Sequence, residues 1–252
     1  MSIWSQCGRD RRLKERENGQ HNGIKGKKIG SLPDGQQEQF DTYYRILVEW
    51  NKVMNLTGIT EYDEVNEKHF LDSLMIVKSF DMSKVFSIID IGTGAGFPGI
   101  PLKIVFPEIQ VVLLDSLNKR IRFLDEVIQQ LGLEKIETIH GRAEDFAKKT
   151  QYREKFDFCV SRAVANLAIL SEYCLPYVKI GGYFVSYKSE DIDKEVEQAE
   201  NSVQILGGTV EEVKKFKLPG TEIGRSIIKI KKIKPTAKKY PRKAGLPAKE
   251  PL

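Results

Sequence analysis

The fold is decided by a glycine-rich stretch that follows an apolar segment, Asp90-Ile91-Gly92-Thr93-Gly94-Ala95-Gly96-Phe97-Pro98-Gly99. Glycines at alternate positions allow the backbone to turn sharply and leave no Cβ between the loop and a ligand that lies against it. The apolar run from Val85 to Ile91 is typical of a buried strand. The stretch is therefore predicted to be a turn at the tip of a strand, and it indicates a site for a nucleotide-like cofactor.

Outward from this loop, strand patterns alternate with helical ones, which is typical of a parallel sheet covered on both faces. The predicted strands are 85–91, 110–115, 135–140, 156–161, 183–188, 209–216 and 226–232. The clearest predicted helices are 118–131, 166–177 and 192–206. Only a Pro219-Gly220 turn joins the last two strands, and so short a connection cannot make a parallel crossover. We expect an α/β, Rossmann-like, seven-stranded and mostly parallel sheet whose last strand is antiparallel.

The chain divides into four predicted segments. Residues 1–35 are polar and lack periodicity, which predicts a disordered leader. Helical spacing over 36–84 predicts an N-terminal helical cap, 85–234 form the cofactor-binding domain, and 235–252 form a basic tail. Three prolines lie between Lys229 and Lys249, so the tail is predicted to be extended and unpaired.

Composition limits the class of protein. The chain has 252 residues, 40% of them hydrophobic, and neither a membrane-spanning run nor a secretory signal is recognisable, so we expect a cytoplasmic protein. The three cysteines are widely and irregularly spaced, and there are only three histidines. Neither a disulfide framework nor a metal site is predicted.

Charge is concentrated at the two ends of the chain. Residues 225–252 hold ten Lys and Arg against one acid, and residues 1–30 hold eight against three, within a net charge of +5. Basic ends on an acidic body suggest contact with a polyanion such as RNA. Lysine-rich ends that only keep the chain soluble are an equally acceptable interpretation.

The glycine loop alone does not identify the cofactor, since Gly94, Gly96 and Gly99 also satisfy the dinucleotide pattern GxGxxG. Asp90 precedes the first glycine by two residues, where its carboxylate would attract the ammonium and sulfonium of S-adenosylmethionine and repel a pyrophosphate. The helix-free end of the sheet is also what methyltransferases of this type show, by analogy of fold. These observations favour S-adenosylmethionine over NAD.

Two acids follow the next strands. Asp115 ends the second strand, nineteen residues beyond Gly96, the spacing at which an acid reaches the ribose hydroxyls of a bound cofactor. It is equally suited to the start of the following helix. After the third strand, Glu144 lies where the adenine ring would be, although it is otherwise an ordinary surface charge.

The stretch after the fourth strand, Ser161-Arg162-Ala163-Val164-Ala165, has neither the Asn-Pro-Pro-aromatic type of motif used for exocyclic amines nor a Pro-Cys nucleophile. The remaining chemistry should need no covalent nucleophile. Guanine N7 is such an acceptor, because its lone pair carries no proton. Catalysis would then be mostly positioning, without an essential general base.

Several blocks, in this order, carry a resemblance to a known family. They are Trp50-Asn51-Lys52 to Asn55-Leu56-Thr57, His69-Phe70-Leu71-Asp72-Ser73, the glycine loop, Asp115-Ser116 with Lys119-Arg120, Gly141-Arg142-Ala143-Glu144, Ser161-Arg162-Ala163, and Tyr240-Pro241-Arg242-Lys243-Ala244-Gly245. From about residue 38 onward the sequence resembles the bacterial ribosomal RNA small-subunit methyltransferase G family, also called glucose-inhibited division protein B.

The resemblance implies N7-methylation of one guanine in 16S rRNA, from S-adenosylmethionine, by a class I methyltransferase. It also implies a set of cofactor contacts: Gly92, Phe97, Asp115, Ser116, Leu117, Ala143, Glu144 and Arg162. From the residues themselves we add Asp90, Gly94 and Gly96 as lining of the loop. The partner is 16S rRNA or the small subunit, and we expect a monomer.

Substrate-side roles are hypotheses at this stage. Arg162 would hold a methionine carboxylate or an RNA phosphate, or else form a salt bridge with a neighbouring acid. His69 and Asp72 lie three apart on one helix face and would position the substrate, although a histidine beside apolar residues is more often structural. The candidates for RNA contact are Lys119, Arg120, Lys188, Arg225, Lys239, Tyr240, Arg242 and Lys243. A nicotinamide-dependent reductase and a non-catalytic ribosome-assembly factor remain as alternatives.

Overall fold

The computed structural model describes residues 32–162 and 165–252. Most of the predicted leader, residues 1–31, lies outside the described residues. The first helix begins at Asp34, so the last two positions of the predicted leader, Asp34 and Gly35, belong to that helix.

Nine helices surround the sheet in the described part of the chain. They are α1 Asp34–Met54, α2 Tyr62–Val65, α3 Asp72–Leu74, α4 Gly99–Val105, α5 Asn118–Gln130, α6 Ala143–Phe146, α7 Leu167–Cys174, α8 Asp193–Ile205 and α9 Leu246–Lys249. Between α2 and α3 the chain continues without a break as a π-helix, Asn66–Leu71. Short 3₁₀ turns follow at Met75–Lys78, Met82–Lys84 and Leu175–Tyr177.

The sheet has seven strands in the order β3-β2-β1-β4-β5-β7-β6. They are β1 Ser87–Ile91, β2 Gln110–Asp115, β3 Ile136–His140, β4 Phe156–Arg162, β5 Val178–Ser189, β6 Gly208–Lys217 and β7 Gly224–Lys232. Neighbours from β3 to β5 pair in parallel, whereas β7 is antiparallel to both β5 and β6. The predicted Rossmann-like sheet with an antiparallel last strand is confirmed.

Helices cover both faces of the sheet because the central strands are apolar on both sides. In β1, Ile88 packs into one cluster, with side chains of α1, α4 and α5, while Ile89 and Ile91 pack into the other, with side chains of α7 and α8. Successive side chains of a strand point to opposite faces, so strands buried on both faces are continuously apolar. The two clusters hold the carboxyl ends of β1 to β5 at one edge.

Strand β5 begins at Val178, five residues before its predicted start, and runs through Gly181 and Gly182. Gly181 has φ +85°. A Cβ on Gly182 would lie 2.4 Å from the carbonyl oxygen of Asp157. Gly182 therefore permits close approach of β4 and β5. Neither glycine ends the strand.

The C-terminal segment, residues 235–252, is packed against the body, so the prediction of an extended, unpaired tail is wrong. The proline pattern that suggested this tail was taken from Lys229 onward, but Lys229 to Lys232 belong to β7. Tyr240 is buried in the cluster that also contains side chains of α6 and α7, and the segment ends in the short helix α9. Backbone groups of this segment have partners in the body, which the proline pattern did not reveal.

No helix in residues 32–162 and 165–252 is long and apolar enough to cross a membrane. Within the same residues there is no cluster of three or more His, Cys, Asp or Glu side chains able to hold a metal ion. Cys159 and Cys174 are buried free thiols that form no disulfide.

Candidate functional site

The glycine loop leaves β1 at the carboxyl edge of the sheet and is tied to β2. The amides of Gly92 and Thr93 donate to the carbonyl of Leu114, at 2.9 and 3.2 Å. Gly92, Gly94 and Gly96 all have positive φ, at 68°, 62° and 94°. This backbone conformation is open to glycine and strained for other residues.

The glycines of the loop serve two different purposes. A Cβ on Gly96 would lie 2.6 Å from Ile100 and 2.7 Å from the hydroxyl of Tyr43, and one on Gly99 would lie 2.4 Å from Leu113. These two positions are fixed by packing inside the protein. A Cβ on Gly94 would meet nothing closer than 3.9 Å, so Gly94 is the position that keeps space open for a ligand.

Asp90 lies beneath the loop and has one unused oxygen. Its Oδ2 accepts from the hydroxyl of Thr93 at 2.8 Å and from the amide of Gly99 at 2.9 Å. Its Oδ1 is buried with no hydrogen-bond partner among the described residues. Burial raises the pKa of Asp90 to about 7, against the opposing effects of these two hydrogen bonds and of Arg162. A cation close to Oδ1 would satisfy this acceptor.

Asp115 links the glycine loop after β1 to the loop after β2 through hydrogen bonds. Its Oδ1 accepts from the amide of Leu117, and its Oδ2 accepts from the amide of Gly94, both at 2.9 Å. The guanidinium of Arg120 lies 3.2 Å from Oδ2. Asp115 therefore organises the glycine loop and the turn before α5, and Arg120 is its ion-pair partner. The helix-start interpretation is not supported, because α5 begins at Asn118 with no side-chain cap and no acid in its first turn. Ser116, Leu117 and Lys119 are exposed beside Asp115.

The third stretch of the site follows β3. The amide of Gly141 donates to the carbonyl of Asp115 at 3.0 Å. Glu144 is buried, with 5% of its surface exposed, and it is not an ordinary surface charge. Its Oε1 accepts from the amide of Gly245 at 2.9 Å. The three stretches after β1, β2 and β3 thus lie side by side, where the sequence predicted the cofactor.

Arg162, at the end of β4, contacts the glycine loop and the N-terminal helices together. Its guanidinium carbon lies 4.9 Å from the centre of the Phe97 ring, and it forms an ion pair with Asp72 at 3.1 Å. Arg225 approaches the other oxygen of Asp72 at 3.4 Å. The salt-bridge interpretation of Arg162 is what the structure shows. Burial raises the pKa of Asp72, and the two guanidinium groups act in the opposite direction.

The π-helix contributes two backbone acceptors to the same arginine. Arg162 lies 3.4 Å from the carbonyl of Lys68 and 3.3 Å from that of His69. A π-turn displaces carbonyls from the regular hydrogen-bond ladder, and such turns are frequent at functional sites. Arg162 is therefore positioned by three groups from one helical segment.

His69 is held by packing and by a hydroxyl. Its ring stacks on Phe97 with 4.7 Å between centres, and its Nε2 lies 2.7 Å from the Oγ1 of Thr57. Burial, together with the charge of Arg162, lowers the pKa of His69 to about 4. The imidazole is therefore neutral near pH 7 and a weak base, as the structural interpretation expected. His69 and Asp72 share no direct contact; Arg162 lies between them.

A cavity of about 500 Å³ opens beside Arg162. This acceptor cavity lies between the N-terminal helices and the carboxyl edge of β4 and β5, and it is lined by Ile59, Lys68, His69, Asp72, Arg162, Tyr187, Lys188, Ser189, Glu195 and Arg225. Its four cations exceed its two acids. The volume and the charge suit a nucleotide with its phosphate.

Each cation of the acceptor cavity has an internal partner. Lys188 lies 2.7 Å from Glu195, Arg162 and Arg225 share Asp72, and Lys68 pairs with Glu64. Sequence reasoning had not singled out Lys68, Tyr187 or Glu195. For Lys68 the available signal was its place next to His69 in a block of the resemblance.

The predicted RNA-contact residues fall into three separate places. Lys119 and Arg120 lie beside Asp115, and Arg120 is paired with it. Lys188 and Arg225 line the acceptor cavity. The C-terminal candidates Lys239, Tyr240, Arg242 and Lys243 lie on the other side of the site. Tyr240 is only 8% exposed, so the prediction that it contacts RNA is wrong. Arg242 is not free for phosphate either, because it is paired with the buried Glu172 at 2.6 Å.

Comparisons with known proteins agree with this geometry. A candidate sarcosine dimethylglycine methyltransferase from Galdieria sulphuraria has a similar fold, with 13% identity, a TM-score of 0.50, and coverage of 64% of this chain and 85% of that one.

Two relatives named ribosomal RNA small subunit methyltransferase G match most of the chain. The one from Lachnoclostridium phytofermentans is 57% identical over 86% of this chain and 90% of its own length. The one from Desulforamulus reducens is 53% identical over 88% and 92%. The family described as GidB, rRNA small subunit methyltransferase G, matches residues 36–224. The chain belongs to the rRNA small subunit methyltransferase G family.

Proposed function

We propose that this protein transfers a methyl group from S-adenosylmethionine to N7 of one guanine in 16S rRNA. The proposal depends on one observation: the glycine loop and the acceptor cavity are adjacent and meet at Phe97 and Arg162. Phe97 belongs to the glycine loop, and Arg162, which lies over its ring, also lines the acceptor cavity. A cofactor against the loop and a base in the cavity would meet at this pair.

The loop fits S-adenosylmethionine. Gly94 leaves open space, and the unpartnered Oδ1 of Asp90 suits the cationic end of the molecule. Asp115, with Ser116 and Leu117, would hold the ribose side, and Ala143 and Glu144 would lie on the adenine side. The cofactor supplies an electrophilic methyl group on a sulfonium. A pyrophosphate above the buried carboxyl of Asp90 would be repelled, so a nicotinamide-dependent reductase is not favoured.

The cavity suits an acceptor that needs no proton removed. The nitrogen lone pair of guanine N7 forms the new bond as the bond from carbon to sulfur breaks, and the positive charge moves to the base. His69 is held neutral and is engaged by Thr57, and Asp72 is held between two arginines. Catalysis here is positioning and electrostatic stabilisation.

The RNA-facing groups that we propose are Lys188 and Arg225, with the exposed Lys119 beside the glycine loop. We further propose that the protein acts as a monomer. An rRNA substrate supports the proposal that the protein acts in the cytoplasm.

The test is transfer of labelled methyl from S-adenosylmethionine to unmodified 30S subunits and to free 16S rRNA, with nuclease digestion and mass analysis. We expect 7-methylguanosine at one position. A product at a different atom would overturn the N7 assignment. Absence of transfer to either RNA, with S-adenosylhomocysteine bound, would favour the assembly-factor alternative. A protein that binds no S-adenosylhomocysteine would refute the proposed function.

Matched variants separate the two sites. Arg225→Ala should raise the KM for RNA and leave S-adenosylhomocysteine affinity intact, because Arg225 lines only the acceptor cavity. Lys194→Ala removes an exposed cation of α8 outside the cavity and serves as the charge-matched control. Equal effects of the two variants would show that the cavity is not the RNA site.

A further inference from the structure

The C-terminal segment lies against the cofactor half of the molecule, away from the acceptor cavity. Its first contact is with Arg153, whose guanidinium donates to the carbonyls of Thr236 at 2.8 Å and Tyr240 at 3.0 Å. Glu154 accepts from the amide of Thr236 at 2.7 Å. These contacts use the backbone of the segment, so they fix its path and depend little on its side chains.

A buried ion pair fixes the middle of the segment to α7. Glu172 is 1% exposed, and both of its oxygens are engaged by Arg242, through Nε at 3.0 and 3.1 Å and through a terminal nitrogen at 2.6 Å. The amide of Arg242 also donates to Glu172 at 2.7 Å. A forked pair of this kind is strong and directional, and removal of one partner leaves a buried charge. Arg242 thus anchors the segment.

The last contact reaches the cofactor side itself. Gly245, with φ +83°, donates its amide to Glu144 at 2.9 Å. Glu144 is the second residue of α6, in the stretch after β3. The carbonyl of its neighbour Ala143 accepts from the hydroxyl of Tyr177 at 2.7 Å. The carboxylate of Glu144 is therefore directed at the C-terminal segment.

We propose that residues 235–252 position the S-adenosylmethionine site. In this proposal the hydrogen bond between Glu144 and Gly245 holds the stretch after β3 in the conformation that binds the cofactor. The segment holds α7 through Arg242 and holds α6 through Glu144, and so it fixes the backbone of residues 141–144 on the adenine side. Its lysines are exposed on this side of the protein. The proposal rests on cofactor binding at this site and not on the identity of the methyl acceptor.

The test combines a truncation after Lys243, which removes Gly245, with two substitutions of Glu144. Calorimetry with S-adenosylhomocysteine should show about tenfold weaker binding for the truncation and for Glu144→Ala, which corresponds to about 1.4 kcal/mol. The two changes combined should be no worse than either alone, because they remove the same hydrogen bond. Glu144→Gln keeps an acceptor oxygen and should restore affinity relative to Glu144→Ala.

Further measurements distinguish positioning from a merely structural effect. Amide exchange should accelerate over residues 141–146, and the KM for S-adenosylmethionine should rise while the KM for RNA and its salt dependence stay constant. Lys155→Ala, a nearby exposed cation outside the segment, is the control.

Three results would overturn the proposal: weaker RNA binding with intact S-adenosylhomocysteine affinity after truncation, equal loss in Glu144→Gln and Glu144→Ala, or additive loss in the combined variant. If the truncated chain does not fold, the two Glu144 variants decide alone. Failure of the wild-type protein to bind S-adenosylhomocysteine would instead refute the proposed function.

Discussion

Binding of S-adenosylhomocysteine should weaken as the pH falls, because of Asp90. Its pKa in the free protein is about 7, and the cationic end of the ligand favours the ionised form. If only that form binds, about three quarters of the protein is competent at pH 7.5 and about a tenth at pH 6.0. The expected loss of affinity is therefore about eightfold, since Kd varies inversely with the competent fraction.

The assay is calorimetric titration of the wild type and of Asp90→Asn at pH 6.0 and 7.5, at constant ionic strength. Asparagine keeps an acceptor for Thr93 and Gly99 but carries no charge, so its affinity should be low and independent of pH. Asp191→Asn changes an exposed acid and should retain the wild-type dependence. Equal wild-type affinity at both pH values, or a persistent pH dependence in Asp90→Asn, would refute the reasoning.

Four further outcomes are expected. Gly96→Ala should lower the free energy of unfolding by about 2 to 3 kcal/mol, measured by urea denaturation, because its Cβ would meet Ile100 at 2.6 Å; Gly35→Ala, with nothing within 4 Å, should not destabilise. Arg162→Lys should lower methyl transfer at least about tenfold, since a lysine cannot reproduce the forked contacts, and unchanged transfer would exclude its positioning role. His69 is protonated below about pH 6.5 in the unfolded state but only below about pH 4 in the folded state. The free energy of unfolding should therefore fall as the pH falls from about 6.5 to about 4. His69→Gln should remove part of this fall in denaturation midpoints, and an unaltered pH profile would contradict it.

Local patterns revealed the sheet and the cofactor loops. Alternation and apolar runs identified all seven strands, and the boundaries of β2 were predicted to the residue. The loop from Asp90 to Gly99 and the acid Asp115 follow from spacing along a short stretch of chain. Such features are decided by neighbouring residues, which is why sequence reasoning reaches them.

Contacts between distant parts of the chain were less accessible. Arg162 and Asp72 are separated by 90 positions, and the sequence allowed a salt bridge for Arg162 without identifying its partner. The course of the C-terminal segment was mispredicted because prolines and lysines suggested solvent, whereas Arg153 and Glu172 provide buried partners. The π-turn that directs two carbonyls at Arg162 has no local sequence signal that we recognised.

The internal pairing of the acceptor-cavity cations affects how the protein selects its ligand. A phosphate entering the cavity has to compete with the carboxylates of Asp72, Glu195 and Glu64, which already pair with the four cations. A single nucleotide would exchange one anion for another with little net gain in free energy. We expect a folded RNA that presents several phosphates and a base together to displace these carboxylates in one event. The charge balance of the cavity would then discriminate against the abundant free nucleotides of a cell.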